Sequence, residues 1–224
     1  MSNTQETANK VRIQALQDAN PFTPMHQIIY RLMHEDIITC RLSPGMRITE
    51  EQCAALYSSS RTTIRRAINS LMEEGWLKKD GYRTTVSQIC KEDHMSLMDY
   101  RMAIEPAAAR LAARNRINED LIHLKHYAEA CDTSDIYTLY KNDLEFHRTI
   151  FFACKNPYLI MAYKQIDSRM ARGKIYSIPD YIDSGYDCYQ EHYKIFEAIR
   201  TRNGKLAQTL VIQHIKMMLG ASFE

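Results

Sequence analysis

Apolar residues recur at three- and four-residue steps over most of the chain, which is the spacing of amphipathic helices. The first such helix starts after Thr23-Pro24 and is predicted to end near Cys40. Thr49 and Gln52 have the form of a capping box, which predicts a short second helix to about Tyr57. Two helices joined by a turn are therefore expected early in the chain.

A third helix follows, and its two sides differ in character. Ser60 is placed to cap its start and Gly75 to end it. The apolar side carries Ile64, Ala67, Ile68, Leu71 and Met72. The other side carries Arg61, Thr62, Arg65, Arg66 and Asn69. The donors on that second side suit phosphates and base edges, so the helix is predicted to contact DNA.

The segment after this helix is predicted to be a β-hairpin. Residues 76–79 and 82–86 flank Asp80-Gly81, which is a strong signal for a two-residue turn. Three helices closed by a hairpin are the parts of a winged helix-turn-helix, in which the last helix enters the major groove. The hairpin adds a basic residue, Arg83, to the candidate DNA contacts Arg61, Thr62, Arg65 and Arg66.

From about Lys91 the pattern changes to long helices without strand signals. Their predicted spans are 93–115, 118–130, 134–154, 157–175, 185–201 and 203–220. Each carries an apolar stripe, so a helical bundle is expected. The fold class is thus mainly α, with residues 1–20 as a polar arm or short extra helix, 21–90 as the winged helix-turn-helix domain and 91–224 as the bundle.

Composition indicates the cellular compartment of the protein but not its function. The 224 residues carry a formal net charge of +2, which is too mild to argue for nucleic-acid binding without local clustering. Six scattered cysteines and the lack of a secretory leader favour reduced thiols in a cytoplasmic protein. No apolar run is long enough for a transmembrane helix, so no membrane partner is expected.

Four ionisable residues fall on the apolar stripes of the bundle. Asp143 and His147 are one turn apart and in phase with Ile150, Phe151 and Cys154. His192 lies on the same stripe as Ile195 and Phe196, and His214 on that of Leu210 and Val211. All four should point at the core, where an unpaired ionised group costs several kcal/mol, on the order of magnitude of measured burial penalties.

These inward groups allow two interpretations. Each histidine can be an ordinary core residue, hydrogen-bonded to a carbonyl or carboxylate. Alternatively, Asp143, His147, His192 and His214 hold a divalent metal, because three imidazoles and one carboxylate suit zinc, nickel, manganese or iron. Zinc is the first expectation. Such a site keeps open positions for water or a ligand carboxylate.

Two further residues are candidate ligand contacts. Arg101 either pairs with Glu105 one turn later or serves as a carboxylate clamp, because its guanidinium fork matches a carboxylate. Asn156 is better explained as the cap of the helix that starts at Pro157.

Taken together, the two halves resemble the GntR superfamily of bacterial transcription regulators, in its FadR-like branch with an FCD effector domain. The resemblance covers roughly residues 25–220. In the first half it is carried by Arg41-Leu-Ser-Pro-Gly-Met, Glu50 and Ala54, Ser60-Arg61-Thr62 with Arg65, and Leu71–Leu77. In the second half it is carried by Tyr100-Arg101 with Glu105-Pro106, Leu111-Ala-Ala, Asp143-x-x-x-His147, Asn156-Pro157, Glu191-His192 and His214. Ser58-Ser59 stands where the family usually has Gly-Val. Thr84 stands where its wing usually has Gly.

The resemblance implies a homodimeric repressor or activator that binds a double-stranded, palindromic DNA operator. Its helical domain would bind a small carboxylate, an organic or sugar acid, at a metal held by Asp143, His147, His192 and His214. Arg101 and Asn156 look like pocket residues of such domains. Arg61, Thr62 and Arg65 look like the DNA-contacting residues. No catalytic residues are implied.

Two other functions compete with this one. A metal-dependent hydrolase could use the same site to activate water. It is disfavoured because the inward stripes offer no obvious extra carboxylate as general base, and because the first domain would have no role. In a DNA-binding regulator the metal could also be purely structural.

Overall fold

The computed structural model describes the backbone of residues 3–88, 90–130, 136–183 and 188–221; within these ranges the side chains of 3–5, 136, 137, 140, 174–183, 188 and 219–221 are not described. Cys131 and the predicted helix starts at 134 and 185 lie outside the described residues. The chain divides into two compact units, Met1–Ile89 and Cys90–Glu224.

The first unit combines four helices with a small antiparallel sheet. Its elements are α1 (Asn3–Ala19), α2 (Met25–Ile38), β1 (Arg47–Ile48), α3 (Glu50–Leu56), α4 (Arg61–Glu73), β2 (Leu77–Asp80) and β3 (Arg83–Val86). The strand order is β1-β3-β2. The core lies between α2 and α4, where Ile28, Ile29 and Leu32 meet Ile64, Ile68 and Leu71. The predicted apolar side of α4 is therefore its buried side.

Local sequence signals fix the ends of α3 and α4. The Thr49 side chain accepts a hydrogen bond from Gln52 N, and the Ser60 side chain accepts one from Thr63 N. Each bond satisfies an amide that the first helical turn leaves without a backbone partner. Gly75, just after α4, has a φ of +79°, a conformation that glycine adopts without steric cost. Ser58, after α3, has a φ of +46°, which is strained for a residue with a Cβ.

The hairpin turn lies one residue later than predicted. Asp80 belongs to β2 and pairs with Arg83, so the two-residue turn is Gly81-Tyr82 and not Asp80-Gly81. Gly81 has a φ of +56°, as the first central position of a type II′ turn requires. Thr84 lies within β3, opposite Lys79 on one side and Ile48 on the other. The short strand β1, which the sequence did not indicate, adds the third strand.

Residues 3–19 form a helix, one of the two alternatives for the polar N-terminal segment. The Asn9 Nδ2 atom donates to Leu56 O at 3.1 Å. Arg12 forms an ion pair with Asp36 at 2.9 Å. Asp36 is only 3 % exposed and also accepts hydrogen bonds from Tyr57 Oη at 2.7 Å and Arg41 Nη1 at 2.8 Å. Helix α1 is thus attached to α2 and α3 through one buried carboxylate.

The second unit is the expected bundle of long helices. They are α5 (Lys91–Asn115), α6 (Asn118–Glu129), α7 (Ile136–Ala153), α8 (Pro157–Asp183), α9 (Cys188–Arg200) and α10 (Gly204–Ala221). Helix α8 continues past Pro179, beyond its predicted end at 175. Helix α5 packs against α7, α8, α9 and α10, and its fully buried Ala108, Ala109, Ala112 and Ala113 permit close approach. None of the described helices is both long and apolar enough to cross a bilayer.

Candidate functional site

The four inward residues of the bundle converge on one point. Asp143 and His147 come from α7, His192 from α9 and His214 from α10, and one potential ligand atom of each lies within 4.8 Å of the others. His192 Nε2 is 3.6 Å and His147 Nε2 is 3.8 Å from Asp143 Oδ1, and the two Nε2 atoms of His147 and His214 are 3.2 Å apart. The three imidazoles are at most 1 % exposed. Sequence spacing had placed these residues inward; the fold brings them together.

Two glutamates fix the orientation of two of these rings. Glu105 Oε1 contacts His147 Nδ1, and Glu191 Oε2 lies 2.8 Å from His214 Nδ1. A carboxylate at Nδ1 holds the proton on that nitrogen, so the lone pair is on Nε2. Both Nε2 atoms face the centre of the cluster. This arrangement of carboxylate and imidazole is typical of metal-binding histidines.

Glu105 and Glu191 are the site residues that the sequence analysis missed. The sequence indicates Glu105 only as a partner for Arg101, and Glu191 only as part of the Glu191-His192 motif. The sequence shows no obvious extra inward carboxylate that could act as a general base, and the two carboxylates that the structure adds are both engaged by histidine Nδ1 atoms. The phase of Glu105 on α5, four residues after Arg101 and within the stripe of buried alanines, was the available signal.

Arg101 and Glu105 form a buried ion pair beside the cluster. Arg101 Nε donates to Glu105 Oε2 at 3.0 Å, and the two side chains are 1 % and 0 % exposed. Burial by itself would raise the pKa of Glu105, but Arg101 and His147 together hold that pKa well below its usual range. Glu105 is thus a carboxylate at neutral pH. Burial lowers the pKa of His147, which keeps that ring neutral.

The guanidinium of Arg101 also reaches the cluster of Asp143 and the three histidines. Its Nη2 atom is 3.4 Å from His147 Nε2, and its Nη1 atom is 3.4 Å from the sulfur of Met218. A small cavity adjoins the guanidinium, and its lining consists of His94, Leu97, Met98, Arg101, Met170, Gly173 and Met218. The pairing of Arg101 with Glu105 is therefore confirmed, while its role as a carboxylate clamp stays a prediction that the adjoining cavity leaves room for.

Asn156 caps α8, as the sequence analysis favoured. Its Oδ1 atom accepts hydrogen bonds from Tyr158 N at 3.0 Å and Leu159 N at 3.3 Å. It follows α7, and the last residue of that helix is already about 9 Å along the axis from His147. The cap is confirmed, and the role of Asn156 as a pocket residue stays a prediction.

The polar side of α4 is exposed. Arg61, Thr62, Arg65 and Arg66 are all open to solvent, and so is Arg83 on β3. Two of these arginines pair with α3: Arg65 donates to Glu50 from Nε at 2.7 Å and from Nη2 at 2.8 Å, and Arg61 donates to Glu51 at 3.1 Å. The candidate DNA contacts therefore share one surface with two carboxylates, which the sequence analysis did not include.

Two protein families match the two units. The gntR family of bacterial regulatory proteins matches residues 26–86, and the FCD domain matches residues 96–217. The second match alone covers more than half of the 224 residues. The first spans α2 to β3 and the second runs from α5 into α10.

Individual relatives agree with these families. The chain is 24% identical over 202 residues to the HTH-type transcriptional repressor RspR of Escherichia coli K12, covering 88% of each chain. It is 25% identical over 192 residues to a probable D-xylose utilization operon transcriptional repressor of Paenarthrobacter nicotinovorans, covering 84% of each. Among solved structures, E. coli McbR/YncC has the same fold, with a TM-score of 0.71 at 16% identity over 90% of this chain and 98% of that one.

The buried Arg101–Glu105 pair gives a prediction for stability. Glu105→Gln leaves Arg101 without a countercharge and should lower the free energy of unfolding of the metal-free protein by about 3 kcal/mol at pH 7. Because the folded-state pKa of Glu105 is depressed, its contribution is complete above about pH 5 and declines as pH falls below about 4.3. The difference between variant and wild type should shrink over that acidic range.

Urea unfolding followed by circular dichroism at several pH values measures this difference. Glu129→Gln is the matched control, because Glu129 is 44% exposed and forms only a surface pair with Lys125. Equal losses for the two variants would contradict a structural role of the Glu105 charge.

Proposed function

The chain belongs to the gntR family of bacterial regulatory proteins and is a DNA-binding transcriptional regulator with an FCD domain, and we propose that it senses a small carboxylate at a divalent metal held by Asp143, His147, His192 and His214. The carboxylate would be an organic or sugar acid. Its binding in the helical unit would change the affinity of α4 and the hairpin for a DNA operator.

One observation carries the metal proposal. Glu105 and Glu191 engage the Nδ1 atoms of His147 and His214, so two acceptor atoms, the Nε2 atoms, face one another at 3.2 Å. Two lone pairs at that distance repel, and a divalent cation bound to both nitrogens would replace that repulsion with attraction. Asp143 adds a carboxylate oxygen at 3.6 to 3.8 Å from neighbouring imidazole nitrogens. The whole donor set therefore favours a positively charged ion.

The donor chemistry fits a borderline divalent metal. Nitrogen and oxygen ligands at about 2.1 Å from a tetrahedral zinc ion are about 3.4 Å apart, similar to the separations within this cluster. Three imidazoles and one carboxylate also suit nickel, manganese or iron, which would leave further positions for an exogenous ligand. Zinc is our first candidate. When bound, the metal would supply a Lewis-acidic centre for a ligand oxygen.

Arg101 supports a carboxylate as the effector. Its Nε atom is engaged by Glu105, and its Nη1 and Nη2 atoms make only weak contacts, to Met98 and Met218 sulfur and to His147 Nε2 at 3.4 Å, which a second carboxylate could replace. These donors lie beside the cluster and border the cavity lined by Met98, Met170 and Met218. An acid there would meet two cations through its carboxylate and apolar side chains through its remaining atoms.

For DNA, we assign the contacts to Arg61, Thr62, Arg65, Arg66 and Arg83. The first four lie on the exposed face at the N-terminal half of α4, which is the part of a recognition helix that reaches base edges. Arg83 stands on the exposed hairpin. A homodimer would present two such surfaces to a palindromic operator. Effector binding would favour one of two arrangements of these surfaces and so change operator affinity.

The metal site predicts a graded loss of affinity. His214→Ala removes a ligand and should weaken zinc binding by more than the roughly 10- to 100-fold that loss of an orienting carboxylate costs. Glu191→Gln removes such an orienting carboxylate and should weaken zinc binding by roughly 10- to 100-fold. Titration of the metal-free protein with zinc in competition with a chromophoric chelator measures both. His123→Ala, an exposed histidine on α6, is the control and should bind zinc like the wild type.

The proposed effector site predicts that carboxylate binding requires both the metal and Arg101. In a thermal-shift panel of small carboxylates, wild-type protein should be stabilised by its effector only when loaded with metal. Arg101→Lys keeps the charge opposite Glu105 but loses the fork, so it should bind metal and lose the carboxylate shift. A shift that persists in Arg101→Lys argues against the clamp. Normal metal loading with no shift in wild type indicates a structural metal.

The proposed DNA contacts predict that operator affinity falls when a residue of α4 is changed and not when a residue of the other unit is changed. Arg65→Ala should weaken operator binding by about 1 to 3 kcal/mol if Arg65 contacts a base. Fluorescence anisotropy with a duplex selected from a random pool by the wild-type protein measures this. Lys125→Ala removes one exposed positive charge from α6 in the other unit and should leave the affinity unchanged. Equal affinities of Arg65→Ala and wild type would exclude Arg65 as a base contact.

A further inference from the structure

Arg65 is held side-on by a carboxylate of the preceding helix. Its Nε atom donates to Glu50 Oε1 at 2.7 Å and its Nη2 atom donates to Glu50 Oε2 at 2.8 Å. Two parallel hydrogen bonds between a planar guanidinium and a planar carboxylate fix both the position and the plane of the guanidinium. A surface arginine with one bond or none would instead sample many rotamers.

Glu50 is itself well anchored. It is the first residue of α3, directly after Thr49, whose side chain accepts a hydrogen bond from Gln52 N and caps the helix. Cys53 and Leu56, on the following turns of α3, are buried in the core shared with α4. A negative charge in the first turn of a helix is also favoured by the helix dipole. Glu50 therefore provides a rigid reference point for Arg65.

The hydrogen-bond geometry leaves the base-reading edge of Arg65 available. A guanidinium has five N–H donors, and Glu50 uses the Nε–H and one Nη2–H on the side edge. The remaining Nη1 and Nη2 donors form the end edge. That edge matches the O6 and N7 acceptors of guanine in the major groove. The carboxylate and a guanine can thus be bound by Arg65 at the same time.

The ion pair between Arg61 and Glu51 is weaker than the one between Arg65 and Glu50 and has a different geometry. Arg61 makes one hydrogen bond to Glu51, at 3.1 Å, and the two side chains are 67% and 81% exposed. A single exposed bond of this kind restrains a side chain little. Glu50 and Glu51 are adjacent residues with the same charge, but only Glu50 makes a bidentate contact to its arginine.

We propose that Glu50 is a positioning residue that sets sequence specificity by orienting Arg65 toward a base pair; the proposal rests on the proposed DNA contact of Arg65. A carboxylate on this surface also repels phosphates, so it lowers the affinity for every duplex. The two effects can be separated. Loss of charge changes binding to all sequences equally, whereas loss of orientation changes the preference among sequences.

The test compares two duplexes. One is selected from a random pool by the wild-type protein, and the other is a scrambled duplex of equal length and composition. Anisotropy titrations give the ratio of the two dissociation constants for wild type, Glu50→Gln, Glu51→Gln, Arg65→Ala and the Glu50→Gln/Arg65→Ala double variant. Thermal melting confirms that each variant is folded.

Glu50→Gln should lower the specificity ratio about tenfold, the size expected for one well-formed bidentate base contact. Glu51→Gln should change both dissociation constants alike and leave the ratio unchanged. In the Arg65→Ala background, Glu50→Gln should have no further effect on the ratio. A second selection with Glu50→Gln should relax the preference at the same base pair as Arg65→Ala.

Two results would overturn the proposal. Either Glu50→Gln behaves like Glu51→Gln, with an unchanged ratio, or it lowers the ratio equally with and without Arg65. Failure of the underlying DNA assignment looks different: Arg65→Ala would then have the same ratio as wild type, whatever residue occupies position 50.

Discussion

The ion pair between Arg101 and Glu105 is the interaction on which the helical unit depends most. Both charges are buried on α5, the helix that packs against α7, α8, α9 and α10. A buried charge is tolerated only with a partner, so each fixes the other. Glu105 then orients His147, and Arg101 reaches both His147 Nε2 and the adjoining cavity. Core stability and the candidate sensing site therefore share the same residues.

A sensing role is compatible with this arrangement for a physical reason. A metal ion or a carboxylate bound next to Arg101 would change the electrostatic energy of the Arg101–Glu105 ion pair. Both charges of that pair are buried, so each needs a partner. The binding free energy of the metal ion or carboxylate can therefore be transmitted to the packing of α5 against its neighbours. The DNA-binding unit follows a similar principle on its surface, where the carboxylate of Glu50 on α3 restrains Arg65 on α4. In both units acidic side chains position the groups that would bind a ligand.

Features set by near neighbours in the chain were predictable. The caps at Thr49 and Ser60, the apolar side of α4 and the inward phase of Asp143 and His147 are confirmed, since each depends on residues within one or two turns. The hairpin turn was placed one residue too early, because Asp80 can either form the turn or pair with Arg83. The register of β2 against β3, in which Asp80 lies opposite Arg83 and Lys79 opposite Thr84, settles that choice.

Periodicity and motif spacing are properties of the chain alone, and they were enough to predict the family, the organisation into helices and hairpin, and the inward phase of Asp143, His147, His192 and His214. Which residues meet at the site depends on how the helices pack. Packing joins Glu105 to His147, Glu191 to His214 and Glu50 to Arg65. These partners come from different helices, and their distances depend on how the helices pack rather than on the order of residues along any one of them.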